Sequence, residues 1–323
     1  MTDPTASAHS PGRHSAVAAL AFSLLLSPSL IQARDGQELP ARPLHYAPNG
    51  NLDDHGDYLP GKAGFNLADV SSVGQLKTLD TDVKGLVWVG QCNGADEEFR
   101  NTVQPYIGNP KVFGFFLMDD PDPRGLLEAG RLAPRCTPDN LKAESDWVHS
   151  HALGAKTFIV LMNLSTSKAP SFEHTYNPTN SHIDLFGIDP YPCRTELQGC
   201  DYDMIDRYVA AATSWGVPSR QMVPVYQSFG GGDWVDDYGG KYLLPTVKQT
   251  HRILARWRNH VTAPAFDFAY SWGSQRSDMA LESEPDLQQV FLAHNHASGP
   301  SNRLTRRDTD ASPQTNGSRS RQP

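Results

Sequence analysis

Val112-Phe113-Gly114-Phe115-Phe116-Leu117-Met118-Asp119-Asp120-Pro121 is the stretch on which the fold turns: an apolar run of strand length that stops at two carboxyls and a proline. Other apolar runs of similar length flank it, near Phe65 to Val70, Leu86 to Gly90, Phe158 to Asn163, Leu185 to Asp189, Met222 to Gln227 and Phe266 to Trp272. Amphipathic stretches separate them, which is the sequence sign of β-α units and a parallel sheet. The expected class is α/β, a (β/α)8 TIM-type barrel with seven clear strands. An eighth, short strand is expected before Phe65 or between Val70 and Leu86, and a seven-stranded or open version is the alternative.

The helical stretches agree with this phasing. In Thr137-Pro138-Asp139-Asn140, threonine suits the N-cap, proline the first helical position, and aspartate the positive end of the helix dipole. That helix is predicted to end near Gly154. Ile205, Tyr208, Val209 and Ala212 recur at helical spacing as one buried stripe that stops at Gly216, and Val247, Leu254 and Trp257 form a second stripe.

The chain has 323 residues and 38% hydrophobic content, enough for one large core, and its formal net charge is -8. Such a surface does not neutralise a phosphate backbone, so a nucleic-acid partner is not expected, and a neutral or basic ligand is easier to accommodate. Residues 1–33 read as a signal peptide: Arg13 and His14 precede the apolar run Ala16 to Leu26, and Ala33 suits cleavage. That run is too short for a comfortable membrane span, so no integral membrane association is expected. Residues 34–62 read as an irregular entry segment, 63–295 as the barrel and 296–323 as a polar, disordered tail. Localisation is expected to be secreted or periplasmic, and the state monomeric.

Cys92, Cys136, Cys193 and Cys200 fit disulfides in an oxidising compartment. Three pairings are possible; the short Cys193 to Cys200 loop can close on itself, which leaves Cys92 with Cys136. No Cys-x-x-Cys pair or histidine cluster marks a metal site, and neither metal nor cofactor is expected. His149, His151, His294 and His296 read as solvated surface residues. The glycine-rich Phe229-Gly230-Gly231-Gly232-Asp233 lacks a phosphate-loop ending and reads as a flexible lid carrying Trp234.

In a barrel of this class the side chains at the carboxyl ends of the strands share one mouth, held rigidly by the strands. Read in order, those ends are Asp69, Gln91, Asp119 with Asp120, Asn163, Asp189 with Tyr191, Gln227 and Trp272. Strand alternation puts Gly114, Phe116, Met118 and Asp120 on one face and Asp119 on the other. With the Gly114 face inward, Asp120 points into the mouth. Two close carboxyls against an apolar wall raise one pKa, so that an acid stays protonated near neutrality.

The segment ending Asp119-Asp120-Pro121 resembles the fourth-strand acid segment of glycoside hydrolases with (β/α)8 barrels, and Phe266 to Gln275 resembles their last strand. The resemblance implies a general-acid role for Asp120 and a sugar-platform role for Trp272. It also implies a carbohydrate substrate, with Asp119 or Asp189 expected to complete the catalytic carboxyls; by their strand-end positions Asp69, Gln91, Asn163, Tyr191 and Gln227 are expected to bind it, and Tyr191, Trp272 and Tyr270 are candidate stacking platforms. Gln227 departs from the pattern, because many such hydrolases carry a glutamate nucleophile there. The Asp119-Asp120 pair also resembles the double aspartate of substrate-assisted hexosaminidases, which need no enzymic nucleophile. The rival readings are a catalytically inactive carbohydrate-binding barrel, which Gln227 suggests, and a metal-dependent hydrolase using Asp69, Asp119, Asp120 and Asp189.

Overall fold

The computed structural model describes residues 43–124, 136–235 and 239–297. The expected signal segment and most of the expected tail lie outside them.

Eight parallel strands close into a barrel: β1 (Leu44–Tyr46), β2 (Leu67–Val70), β3 (Lys84–Trp88), β4 (Val112–Met118), β5 (Lys156–Val160), β6 (Leu185–Ile188), β9 (Met222–Gln227) and β10 (Phe266–Tyr270). β7 (Cys193–Arg194) and β8 (Gly199–Cys200) form a separate antiparallel hairpin between β6 and β9. The eighth barrel strand is β1, inside the segment read as irregular entry. It is three residues long and pairs with β10 through Leu44, His45 and Tyr46, closing the seam of the barrel. Three residues are too few to show a period, which is why the strand does not stand out in the sequence.

The barrel is filled rather than hollow, by Tyr46, Leu67, Leu86, Phe116, Phe158, Val160, Leu185, Val223, Val225, Phe266 and Phe268. Phe158 stands at its centre, with ring centroids 4.6 Å from Phe116 and 5.0 Å from Phe266. Gly187 on β6 makes room for it, since a Cβ there would lie 3.0 Å from the Phe158 ring. Burying one such phenylalanine contributes about 1.5–3 kcal/mol. A second, larger core lies between the strands and the helices.

The helices are α1 (Val73–Thr78), α2 (Glu97–Val103), α3 (Pro138–His151), α4 (Pro178–Ser181), α5 (Asp203–Ser214), α6 (Val247–His260) and α7 (Pro285–Ala297). Thr137 caps α3 by accepting the Asn140 N–H, and α5 buries the predicted stripe Ile205, Tyr208, Val209 and Ala212. In α6 the stripe is shifted: Ile253, Leu254 and Trp257 are buried with Thr250, while Val247 at the first turn is 40% exposed. Disulfides join Cys92 to Cys136 and Cys193 to Cys200, with Cα–Cα distances of 5.1 and 3.9 Å. The first ties the loop after β3 to the start of α3. The second staples the β7–β8 hairpin.

The expected flexible lid is instead stitched down on both sides. Gly230 exchanges backbone hydrogen bonds with Met279, the Gly231 N–H donates to Tyr242 O, and the Asp233 N–H donates to Arg276 O. A Cβ at Gly230 would lie 1.9 Å from the Leu244 nitrogen, and one at Gly232 would lie 2.4 Å from Arg276 O. The glycines are there for close backbone approach rather than for mobility.

Candidate active site

β4 does not alternate strictly. Its register against β3 shifts between Gly85 and Leu86, and its register against β5 shifts between Phe116 and Met118. Phe113 and Phe116 point into the barrel, whereas Phe115, Leu117 and Met118 pack on the outer core. The second irregularity changes the phase at the end of the strand. Asp119, expected on the face away from Asp120, therefore comes round to the mouth, where its charge acts on Tyr46, Tyr191 and Tyr270. Asp120 follows with φ of 43°, a left-handed conformation that non-glycine residues seldom adopt, and its charge acts on Asp189, Tyr191 and Tyr270. Both carboxyls thus face the same ring of tyrosines.

Asp189 closes the group from the end of β6. Burial and then the charges of Asp120 and Asp119 push its pKa well above the usual carboxylate range, and Arg194 opposes this only in part. Burial pushes Asp119 up to about 6. Asp119 keeps solvent-accessible surface although protein encloses it. For ionisation the enclosure governs, because a wall of protein polarises less than open water. Burial thus raises both carboxyls, and Asp189, which also feels the charges of Asp120 and Asp119, holds its proton to higher pH.

On β2, Asp69 lies next to Tyr46, whose hydroxyl donates to it; the Asn49 N–H donates to it as well, while burial raises its pKa. Tyr191 and Tyr270 sit 5.9 Å apart at a tilt of 33°. Phe229 packs against both rings, at 5.0 and 5.3 Å. Trp88, at the end of β3, packs edge-on against Phe116 at 4.9 Å and is 38% exposed. Gly90 permits that pose, since a Cβ there would meet the indole at 2.8 Å. Trp88 and Tyr46 were not among the residues expected at the mouth, whereas Tyr270 was expected there as a stacking platform. The alternation of β3 beside inward Leu86 is the signal that marks Trp88.

Four other expected sugar-binding residues are committed elsewhere. The Gln91 amide donates to Thr102 Oγ1 on α2 at 3.2 Å. Asn163 Oδ1 accepts the Ser165 and Ser171 N–H groups, and its Nδ2 donates to Tyr208 and Ser165, pinning a loop. Gln227 is fully buried; Oε1 accepts the Cys193 N–H at 2.8 Å while Nε2 donates to Cys193 O and Leu243 O at 3.0 Å each. Trp272 is fully buried with the Lys62 ammonium 5.0 Å from its ring, so it presents no open face as a platform. His294, expected on the surface, is on α7 with its Nε2 2.8 Å from Asp267 Oδ2. Among the described residues the mouth carboxyls do not converge as a ligand set within 4.8 Å; His45, Asp267 and His294 do, on the outside of the barrel.

No protein-family model matches this sequence, and no curated protein matches it. Solved structures do. A chitinase from Rhizomucor miehei is 11% identical with a TM-score of 0.50, over 78% of this chain and 99% of that one. The barrel is similar to those of glycoside hydrolases. Two further structures overlap less closely. One is a family 18 chitinase from Flavobacterium johnsoniae, 9% identical, TM-score 0.47, covering 82% of this chain and 98% of that one. The other is a fungal endo-β-N-acetylglucosaminidase of glycosyl hydrolase family 18, 11% identical, TM-score 0.44, covering 78% and 97%.

Proposed function

We propose that the chain is an exported glycoside hydrolase acting on an oligo- or polysaccharide, with Asp189 as proton donor and Asp119 as its ionised partner. The observation that supports this best is that burial raises the pKa of both Asp119 and Asp189, at the carboxyl ends of β4 and β6, among aromatic side chains able to stack on sugar. The reaction needs one carboxyl that keeps its proton and one that has lost it, and unequal burial separates the two. Asp189 protonates the leaving oxygen. Asp119 acts on the other side of the scissile bond, either on water or, for an N-acetylated sugar, by orienting the substrate's own acetamide. Asp120 lies beside them at the rim, and its negative charge keeps the proton on Asp189. Asp69, oriented by the Tyr46 hydroxyl beneath it, holds sugar hydroxyls, and Trp88 and Tyr191 stack against ring faces.

The inactive-barrel reading rests on Gln227, and that residue is a backbone clamp beneath the hairpin rather than the remnant of a nucleophile in the mouth. The test is the pH dependence of kcat/KM on an aryl glycoside or chito-oligosaccharide that the protein cleaves. A bell is expected, with its acid limb near 6 from Asp119 and its alkaline limb from Asp189. A profile unchanged by Asp189→Asn would remove Asp189 from the chemistry.

A further inference from the structure

Opposite the barrel interior, where the first strand, the last strand and the last helix meet, three side chains converge. Leu44 and Tyr46 face into the barrel, so His45 between them faces out; Phe266 and Phe268 likewise place Asp267 outward, directly beside His45 in the β1–β10 register. His45 Nδ1 lies 2.7 Å from Asp267 Oδ1, and His294 Nε2 from α7 lies 2.8 Å from Asp267 Oδ2. All three candidate ligand atoms fall within 4.8 Å of one another. The Tyr226 hydroxyl stands 3.4 Å from Asp267 Oδ2 as a fourth oxygen at the same spot.

The charge at this place needs an account. His45 is 1% exposed and Asp267 4%, and a buried carboxylate is costly unless a positive charge compensates it. Its ion-pair partners among the described residues are the two histidines. Two imidazole nitrogens and one carboxylate are a donor set suited to a borderline divalent cation, which prefers nitrogen and oxygen ligands in a compact site. An ion there would neutralise the carboxylate and join β1, β10 and α7 across the seam.

We propose that His45, Asp267 and His294 hold a divalent cation of the zinc class, with Tyr226 beside it, as a structural staple of barrel closure. The site is independent of the carboxyls in the mouth. The ligands are 222 residues apart in sequence at β1 and β10, so no local motif announces them.

The test uses the whole exported protein, stripped with a chelator and reloaded with zinc chloride. One zinc per chain is expected to survive gel filtration, with a rise of several degrees in Tm over the stripped form. The His294→Gln variant, which keeps a hydrogen bond to Asp267, should lose both the bound zinc and the rise. A second readout needs no variant: cobalt(II) loaded into the stripped parent should give the visible absorption of a four-coordinate site. Less than stoichiometric zinc with no change in Tm, equal retention of zinc by His294→Gln, or cobalt spectra of the hydrated ion alone would each overturn the proposal and leave a hydrogen-bonded His-Asp-His cluster.

Discussion

Replacing Glu144 by glutamine should flatten the pH dependence of stability on the alkaline side. Glu144 lies on α3 and is fully buried; its Oε1 accepts the Gly94 N–H at 3.0 Å, and the Asn93 N–H also donates to its carboxylate. Burial pushes its pKa from 4.5 up to about 8. The folded chain therefore keeps a proton that the unfolded chain releases. For a raised carboxyl this stability is complete below pH 4.5 and is lost as pH climbs through 8. The rise from 4.5 to about 8 corresponds to at most about 5 kcal/mol. Glutamine retains an acceptor for Gly94 but does not titrate. The assay is urea unfolding of parent and Glu144→Gln at pH 5, 7 and 9. The difference in unfolding free energy should move in favour of the variant by several kcal/mol across that range. Parallel stability curves for the two proteins would refute the reasoning.

Three further outcomes follow from packing. Phe158→Ala should cost ~3–5 kcal/mol, since the barrel centre cannot collapse around the void, as unfolding midpoints would show. Gln227→Glu should not add a nucleophile; it leaves Cys193 O and Leu243 O without their donor and buries a charge, for a loss on the order of 3 kcal/mol in denaturant unfolding and no gain in turnover. The two tryptophans should separate cleanly: Trp88→Ala should weaken glycan binding about tenfold in calorimetry with Tm nearly unchanged. Trp272→Ala should instead lower Tm, because that ring is core.

Seven strands of the barrel were legible because each is an apolar run bounded by loops, and the ends of Val112–Met118 and Met222–Gln227 coincide with those read from sequence. The helix caps were legible for a similar reason, since Thr137 and Pro138 act locally. Strict alternation in β4 was a wrong assumption: the irregularities come from pairing with β3 and β5, and pairing is a property of three strands together. The same limit hid the fates of Gln227 and Trp272. A polar or aromatic residue at a strand end faces the mouth or serves the loops beneath it according to contacts with distant segments such as the β7–β8 hairpin. His45, Asp267 and His294 were invisible for the same reason.

The central claim is that the Asp119 and Asp189 carboxyls cleave glycosidic bonds. Its most direct test is reducing-end release from a polysaccharide panel, N-acetylated substrates included, by the purified protein and its Asp119→Asn and Asp189→Asn variants. Release from at least one glycan is expected, with a loss of at least about a hundredfold in both variants and folding intact by circular dichroism. Release undiminished in both variants, or binding to a glycan with no release from any, would contradict it.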